Sequence, residues 1–317
     1  DTRRKINIIF DGFEKNTYDN HQKAAFWPRR EDMDRDVQQQ QVSEVFTGVQ
    51  AHLLTAELIR RHSTNRADIR EAALAGLDLR SCRRILDLGC GFGFFSLALR
   101  DRVPPNALLT GLDMVPAYES LFLEVCRDIK VSGRFIAAPV SHIATLPDRS
   151  FDLILCSYAL YFFPEVAPHL ARLLEPDGVF VTITHAEQNM RELFAAAKDV
   201  LRDKGILDQE RLPVEEIVSR FCAENGRDIL APFFKSIATI DYLNTLIFEA
   251  DEVSHLFSYF QFKSPFFLTG IDLDREETMA LFAVHLEELS RRQDGFKIYK
   301  DDCIFVCREP IFPAREP

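Results

Sequence analysis

The chain lacks a concentrated basic surface. Its 317 residues carry a formal net charge of −11. Basic pairs such as Arg29-Arg30 and Arg291-Arg292 are scattered, and acidic residues lie near each. A nucleic-acid backbone needs many lysine and arginine side chains on one face. The sequence therefore argues against nucleic acid, and against an anionic membrane, as a partner.

Paired cysteine motifs and membrane-spanning runs are also missing. The seven cysteines include no C-x-x-C pair, so the pattern indicates neither a zinc site nor a disulfide framework. We therefore expect reduced thiols, a cytoplasmic location and no bound metal. The longest apolar stretch, 151–163, is too short and too polar to cross a bilayer.

From Arg84 onward, short apolar runs alternate with helical patterns. Runs of this length, bounded by turn residues, are typical of buried parallel strands, and their alternation with helices is typical of βαβ units. The predicted strands cover 85–88, 108–112, 135–138, 153–156 and 179–184, and the helices between them cover 94–102, 117–130 and 166–174. The pattern predicts an α/β fold with a doubly wound, mostly parallel sheet.

The regions on either side of this alternation are predicted to be mostly helical. Apolar residues at helical spacing cover 37–61. Beyond Glu187 helices are predicted at 189–204 and 214–225, followed by one longer strand at 237–248 and a mostly helical block. We divide the chain into an N-terminal helical segment (1–80), a core (81–250), a helical cap insertion (251–293) and final strands that complete the core (294–317).

Three glycines at alternate positions follow the first predicted strand. Gly89, Gly91 and Gly93 come shortly after Asp87, and they let the backbone turn sharply where a ligand approaches it. A dinucleotide site would need its third glycine where Phe94 stands, which disfavours a nicotinamide-dependent oxidoreductase. The Asp87 carboxylate could instead bind the ammonium group of a ligand.

A second carboxylate follows the next apolar run. Asp113 comes twenty residues after Gly93, at the tip of the second strand, where it could bind both hydroxyls of a ribose. Taken alone, Asp113 could equally be a helix N-cap. Its spacing from the glycine loop favours ribose binding.

These residues resemble the class I S-adenosylmethionine-dependent methyltransferases of the small-molecule type. The resemblance covers about 84–185 and includes three further ordered motifs, LPDRSFD at 146–152, SYALYF at 157–162 and LEPDG at 174–178. It implies a seven-stranded Rossmann-like methyltransferase fold. It also implies S-adenosyl-L-methionine as the cofactor and S-adenosyl-L-homocysteine as the product.

The resemblance assigns a set of cofactor-binding residues along the predicted strand tips. They are Asp87, Gly89, Cys90, Gly91, Gly93, Asp113, Met114, His142, Ile143 and Ser157. The family often places an acid after strand three that accepts from the adenine amino group. Here the matching residues are Ser141-His142-Ile143, so His142 is the expected neighbour of the adenine.

The expected catalytic residues follow the fourth and fifth strands. Tyr161 and His185 could accept a proton if the acceptor arrives protonated. For Tyr161 a position lining the pocket or the core is favoured over catalysis, and His185 could equally be a solvated loop residue. No carboxylate that would orient either of them is apparent in the sequence. The aromatic residues expected to bind substrate, with packing as the alternative, are Tyr18, Trp27, Tyr158 and Phe260.

The sequence thus predicts a methyltransferase acting on nitrogen, oxygen or carbon of a small-molecule metabolite. A protein that binds S-adenosylmethionine without turnover is the first alternative, because this family often lacks a dedicated catalytic residue. A nicotinamide-dependent oxidoreductase is the second. A homodimer is left open as the assembly.

Overall fold

The computed structural model describes residues 49–207, 210–268, 271 and 273–312. The predictions for Tyr18, Trp27 and most of the N-terminal segment lie outside the described residues. The described strands are β1 (Arg84–Leu88), β2 (Leu108–Asp113), β3 (Ser132–Ala137), β4 (Phe151–Ser157), β5 (Leu174–His185), β6 (Phe234–Tyr242), β7 (Thr245–Phe248), β8 (Phe296–Tyr299) and β9 (Asp302–Pro310). The described α-helices are α1 (Val49–His62), α2 (Ile69–Leu74), α3 (Glu119–Asp128), α4 (Ala167–Leu173), α5 (Arg191–Asp203), α6 (Pro213–Ser219), α7 (Gly226–Leu230), α8 (Val253–Phe267) and α9 (Arg275–Gln293).

One seven-stranded sheet organises the fold, with the strand order β3-β2-β1-β4-β5-β9-β6. β9 runs antiparallel to both of its neighbours, whereas the pairs among β1 to β5 are parallel. The predicted seven-stranded, mostly parallel, doubly wound sheet is confirmed. The strand order reverses between β1 and β4, and in such sheets ligands bind outside the carboxyl ends of the strands at that point.

Both faces of the sheet are covered by apolar side chains. Along β1, Ile85 belongs to the hydrophobic core on one face and Leu86 to the core on the other, because successive side chains of a strand point to opposite faces. Covering both faces requires a continuous apolar run rather than an alternating one. This is the physical reason for the ILDL run that precedes the glycine loop.

The prediction of one long strand over 237–248 is wrong. β6 ends at Tyr242, Leu243 is 68% exposed, and β7 pairs with β8 in a separate two-stranded sheet. The break is fixed by Asn244, whose backbone N–H donates to Asp301 Oδ1 at 2.9 Å and whose carbonyl accepts from the Lys300 N–H at 2.8 Å. The segment after β6 and the segment before β9 therefore leave the main sheet at the same level.

Two predicted helices are shorter than their patterns suggested. The segment after the glycine loop forms only a 3-10 turn over Ser96–Leu99, and the backbone becomes left-handed at Asp101 (φ 58°), which a right-handed helix cannot include. The predicted helix 214–225 ends at Ser219 in α6, and the chain resumes helical geometry only in α7.

The two helices of the predicted cap insertion, α8 and α9, lie in the chain between β7 and β8. α8 packs on α1 and α6, and α9 packs on α5. The described cap therefore draws helices from several parts of the chain. Among the described helices, none has the combined length and apolar character that a membrane span requires.

Candidate functional site

The glycine loop after β1 presents its backbone to open space. Gly89 has φ +65°, and a Cβ placed on it would lie 2.6 Å from Ala159 Cβ in the segment after β4. Gly91 has φ +50°, and a Cβ placed there would meet nothing within 4 Å. The Gly89 N–H donates to the Leu112 carbonyl at 2.8 Å, which fixes the loop to β2. The loop thus leaves room for a ligand at Gly91.

Asp113, at the end of β2, braces this loop. Its Oδ2 accepts from the Gly91 N–H at 2.9 Å, and its Oδ1 accepts from the Val115 N–H at 2.9 Å. Burial raises the pKa of this carboxyl, against the effect of these backbone hydrogen bonds. Each carboxylate oxygen can accept a further hydrogen bond, so the geometry fits two ribose hydroxyls as well as the backbone cap.

Asp87 lies beneath the loop and is only 1% exposed. Its Oδ2 accepts from Ser96 Oγ at 2.5 Å. Burial raises the pKa of Asp87 to about 7; the Ser96 hydrogen bond opposes this rise and the Asp113 charge adds to it. A nearby ammonium would favour the ionised carboxylate. The residues therefore fit a ligand that carries an ammonium group and a ribose.

The remaining predicted cofactor residues lie along the same edge of the sheet. Cys90 is buried within the loop, and Met114, 38% exposed, follows β2. His142 and Ile143 belong to the 3-10 turn Val140–Thr145 after β3, and Ser157 ends β4. The structure brings these residues to the carboxyl ends of β1 to β4, and their contacts with a cofactor stay predictions.

His185, the last residue of β5, is paired with a buried carboxylate. It lies opposite Asp302 in the register of β5 and β9, and its Nδ1 is 2.6 Å from Asp302 Oδ1. Asp302 Oδ2 also accepts from Tyr158 Oη at 2.8 Å and from Lys300 Nζ at 2.9 Å. The expectation that no carboxylate orients His185 is therefore wrong. The alternative of a solvated loop histidine is also wrong, since His185 is 7% exposed.

The surroundings of this pair favour a neutral imidazole. Burial lowers the pKa of His185, and although Asp302 acts in the opposite direction, the charges of Lys300 and Lys263 add to the lowering. Burial alone would raise the pKa of Asp302, but Lys300 and His185 outweigh it and lower that pKa to about 2. With the Nδ1–H donated to Asp302, the His185 Nε2 lone pair can accept a proton.

Tyr158 and Tyr161 lie beside the imidazole. The ring centroid of Tyr158 is 4.7 Å from that of His185, and the Tyr161 centroid is 5.9 Å away. Burial raises the pKa of both phenols well above the ordinary value, and the Asp302 charge adds to the shift. Phenols in this state remain protonated at neutral pH. The environment of Tyr161 therefore favours the alternative that it lines the pocket.

Phe260, predicted to bind substrate, is 0% exposed. Its ring lies 4.7 Å from the Phe282 ring and 6.2 Å from the Phe267 ring, centroid to centroid. These contacts join α8 to α9. They favour the packing alternative for Phe260.

The sequence predictions missed Asp302, Lys300 and Lys263. Lys300-Asp301-Asp302 has the composition of a turn, and Asp302 begins β9. Lys263 lies inside an aromatic run on α8, FSYFQFKSPFF. A single cationic residue within such a run was a usable signal, because burying an ammonium needs a compensating partner.

One group among the described residues could hold a metal ion. Ligand atoms of His62, Glu252 and His255 lie within 4.8 Å of one another. Arg61 Nη2 already pairs with Glu252 Oε1 at 3.0 Å, and His62 Nδ1 lies 2.8 Å from the Ile247 carbonyl. Internal hydrogen bonds and an ion pair therefore account for this group.

Residues 79–230 match the family described as "Methyltransferase domain". The matched range contains the glycine loop, Asp113 and His185. This segment matches a methyltransferase domain, in agreement with its resemblance to the class I S-adenosylmethionine-dependent methyltransferases.

Curated relatives are similar over part of their length. Ubiquinone biosynthesis O-methyltransferase from Neisseria meningitidis is 27% identical over 155 residues, which are 46% of this chain and 64% of that protein. Trans-aconitate 2-methyltransferase from Escherichia coli is 34% identical over 109 residues, which are 33% of this chain and 40% of that protein. The chain thus spans less than two thirds of each relative. A solved structure of a methyltransferase-like protein from Bacillus halodurans overlaps 76% of this chain and 99% of its own, with 11% identity and a TM-score of 0.49.

Proposed function

We propose that the protein transfers a methyl group from S-adenosylmethionine to an oxygen atom of a small molecule. The observation that carries this proposal is the hydrogen bond of 2.6 Å between His185 Nδ1 and Asp302 Oδ1, formed beside the methyltransferase glycine loop. The two parts are linked through the segment after β4, because Gly89 lies against Ala159 and Tyr158 lies against His185.

The cofactor side of the site is formed by β1, β2 and the loop between them. Asp113 would hold the ribose hydroxyls, and Asp87 would hold the ammonium group. The backbone at Gly91 leaves the ligand room. When bound, S-adenosylmethionine supplies an activated methyl group on a sulfonium ion. Because the leaving group is already activated, the protein mainly has to orient the acceptor.

On the acceptor side, His185 would remove the proton from the acceptor hydroxyl. A hydroxyl is a weak nucleophile until its proton leaves, and a positioned imidazole with a pKa below the working pH can take it. Asp302 fixes the imidazole through Nδ1 and stabilises the imidazolium that forms, as a buried carboxylate does in other His–Asp pairs. An acceptor that needs no deprotonation would not use this pair. Hydroxyl and ammonium acceptors both need it, and between these two the name of the matched O-methyltransferase favours oxygen.

The matched relatives and the net charge support a small-molecule acceptor, and the cysteines support a cytoplasmic location. One matched relative is named an O-methyltransferase, and another is named for methylation of trans-aconitate. All seven cysteines are free and buried, which is typical of a reducing compartment such as the cytoplasm. The formal net charge of −11 favours a small-molecule acceptor over nucleic acid.

Ligand-dependent melting tests the cofactor part of the proposal. S-Adenosylhomocysteine at about 100 times its dissociation constant should stabilise the fold by about 2.7 kcal/mol through mass action, whereas NAD should not. Stabilisation by NAD alone would contradict the proposal.

Methyl transfer is tested separately, with radiolabelled S-adenosylmethionine and a pool of small metabolites. Label should appear in a metabolite as a methyl group on oxygen, either in a base-labile ester or in a base-stable ether. Binding of S-adenosylhomocysteine without any label transfer would instead identify a binding protein.

A further inference from the structure

We propose that Lys263 is the anion-binding residue of the acceptor site, and that the acceptor carries a carboxylate group near its reacting oxygen. This inference rests on the proposed function, because it names the acceptor class for the same site. It gives α8 a role in substrate selection in addition to its packing role.

Lys263 lies on the face of α8 that also carries Tyr259 and Phe266. Residues three and four positions apart share one face of a helix. Four residues before Lys263, the Tyr259 hydroxyl donates to Met190 Sδ at 3.2 Å in the buried interior. Three residues after it, the Phe266 ring lies 5.9 Å from the Phe162 ring, next to Tyr161. The stem of Lys263 therefore leaves the helix between two residues that face the acceptor side.

In the portion of the chain that the structure describes, no carboxylate oxygen lies within 4.0 Å of the Lys263 ammonium. Its described neighbours are aromatic, with Nζ 6.0 Å from the Tyr259 ring centroid and 5.6 Å from the Phe262 ring centroid. Rings stabilise a cation only modestly. Among the described residues, this partly buried ammonium therefore lacks an anion.

Asp302 cannot serve as that anion. Its carboxylate already receives hydrogen bonds from His185, Tyr158 and Lys300. Two ammonium groups therefore face one carboxylate, and burial together with the Lys300 charge lowers the pKa of Lys263 to about 8. At neutral pH the described residues of the acceptor side, Lys263, Lys300 and Asp302, carry a surplus of one positive charge. A singly charged carboxylate would neutralise it.

Ring contacts connect the Lys263 face of α8 to the reacting atoms, since Phe266 contacts Phe162. The Phe162 ring lies 4.7 Å from the Tyr161 ring, and the Tyr161 ring lies 5.9 Å from the His185 ring, centroid to centroid. The Lys263 charge acts on the His185 imidazole and helps to lower its pKa. A carboxylate bound at Lys263 would therefore lie close to the proton acceptor. The acceptor class that follows is a hydroxy acid, rather than a neutral alcohol or an amine.

Matched acids and amides test this proposal on the full protein loaded with S-adenosylhomocysteine. The probes are hydroxybenzoates, hydroxycinnamates and aliphatic hydroxy acids, each paired with the amide in which the carboxylate is replaced. At least one acid should bind about 10- to 100-fold more tightly than its amide, the range for a charge-assisted hydrogen bond. Lys263→Met should remove this preference, and Lys263→Arg should retain most of it.

The control variant is Lys235→Met, since Lys235 is an exposed lysine on β6. It should leave both affinities unchanged. The proposal is overturned if no acid is preferred over its amide, or if Lys263→Met keeps the preference. It is also overturned if Lys263→Met weakens S-adenosylhomocysteine itself, because the ammonium would then belong to the cofactor's carboxylate. A parent protein that fails to bind S-adenosylhomocysteine would refute the proposed function instead.

Discussion

The cofactor side and the acceptor side of this site are built in opposite ways. The cofactor side comes from β1, β2 and the loop after β1, so that Asp87 and Asp113 are near in sequence. The acceptor side joins residues that are far apart, since His185 and Asp302 are separated by 117 positions. A local motif can form with one βαβ unit, whereas the His185–Asp302 pair exists only once β9 has entered the sheet.

The two sides also differ in charge. The cofactor side has two carboxyls whose pKa is raised by burial, and a cation would stabilise their ionised forms. On the acceptor side the pKa of Asp302 is lowered to about 2, and two ammonium groups surround it. An anion would neutralise that surplus. One site can thus bring together a cationic cofactor and an anionic acceptor, which attract each other once bound.

The largest effect should come from removing the proton acceptor. His185→Ala should lower kcat by roughly 10²- to 10⁴-fold, the usual contribution of a positioned general base, while the dissociation constant of S-adenosylhomocysteine stays within experimental error. Single-turnover methyl transfer and calorimetric titration measure the two quantities. His169→Ala, a change in a partly exposed histidine on α4, is the matched control.

The pH dependence of the parent checks the same role. The base acts in its neutral form, so the rate should rise with pH through the pKa of His185 and stay level above it. Because that pKa is lowered from 6.5 by burial, the rising limb should lie below pH 6.5. A limb that persists in His185→Ala would show that another group carries the proton.

On the cofactor side the effect should fall on binding. Asp113→Ala should weaken S-adenosylhomocysteine by about 1.5–3 kcal/mol, because two charge-assisted hydrogen bonds to the ribose would be lost. Gly91→Val should weaken it further, since the side chain would enter the open space at Gly91. Circular dichroism should show an intact fold. Unchanged affinity in both variants would place the cofactor elsewhere.

A smaller effect on the same side should appear as a pH dependence of affinity. The pKa of Asp87 is raised to about 7, so the carboxyl is ionised above pH 7 and neutral below it. Only the ionised form pairs with an ammonium group. The affinity for S-adenosylhomocysteine should therefore fall by up to about tenfold per pH unit below pH 7.

Two variants separate Asp87 from its neighbours. Asp87→Asn should flatten the profile, and any slope that remains would belong to Asp113, the other raised carboxyl facing the loop. Asp78→Asn, at an exposed carboxyl whose pKa lies near 2, should leave the profile as in the parent. A flat profile in the parent would contradict a role for Asp87 in binding the ammonium group.

The difference between the two sides also explains what the sequence could predict. The glycine loop, Asp87 and Asp113 lie in a local pattern whose spacing is set by β1, β2 and the loop after β1, so the sequence could assign them residue by residue, and their contacts with a cofactor stay predictions. The sheet was predicted because burial on both faces demands continuous apolar strands.

The acceptor side could not be predicted in this way. Pairing of His185 with Asp302 depends on the antiparallel register of β5 and β9, and no local pattern encodes that register. The long strand predicted over 237–248 breaks because Asn244 bonds to Asp301, 57 positions away. The surroundings of Lys263 are defined only once α8 has packed against α1, α6 and α9.

The smallest effect should be that of Tyr161, and it distinguishes a pocket wall from a base. Its ring lies 5.9 Å from the His185 ring, close enough to contact the acceptor, but the raised pKa of its phenol keeps it from taking a proton at neutral pH. Tyr161→Phe keeps the ring and removes only one hydroxyl. We therefore expect kcat/KM to fall by no more than about 2- to 10-fold, the value of one ordinary hydrogen bond, with most of the change in KM and the rising limb below pH 6.5 retained. A loss comparable to that of His185→Ala, carried by kcat, would show that the proton passes through Tyr161.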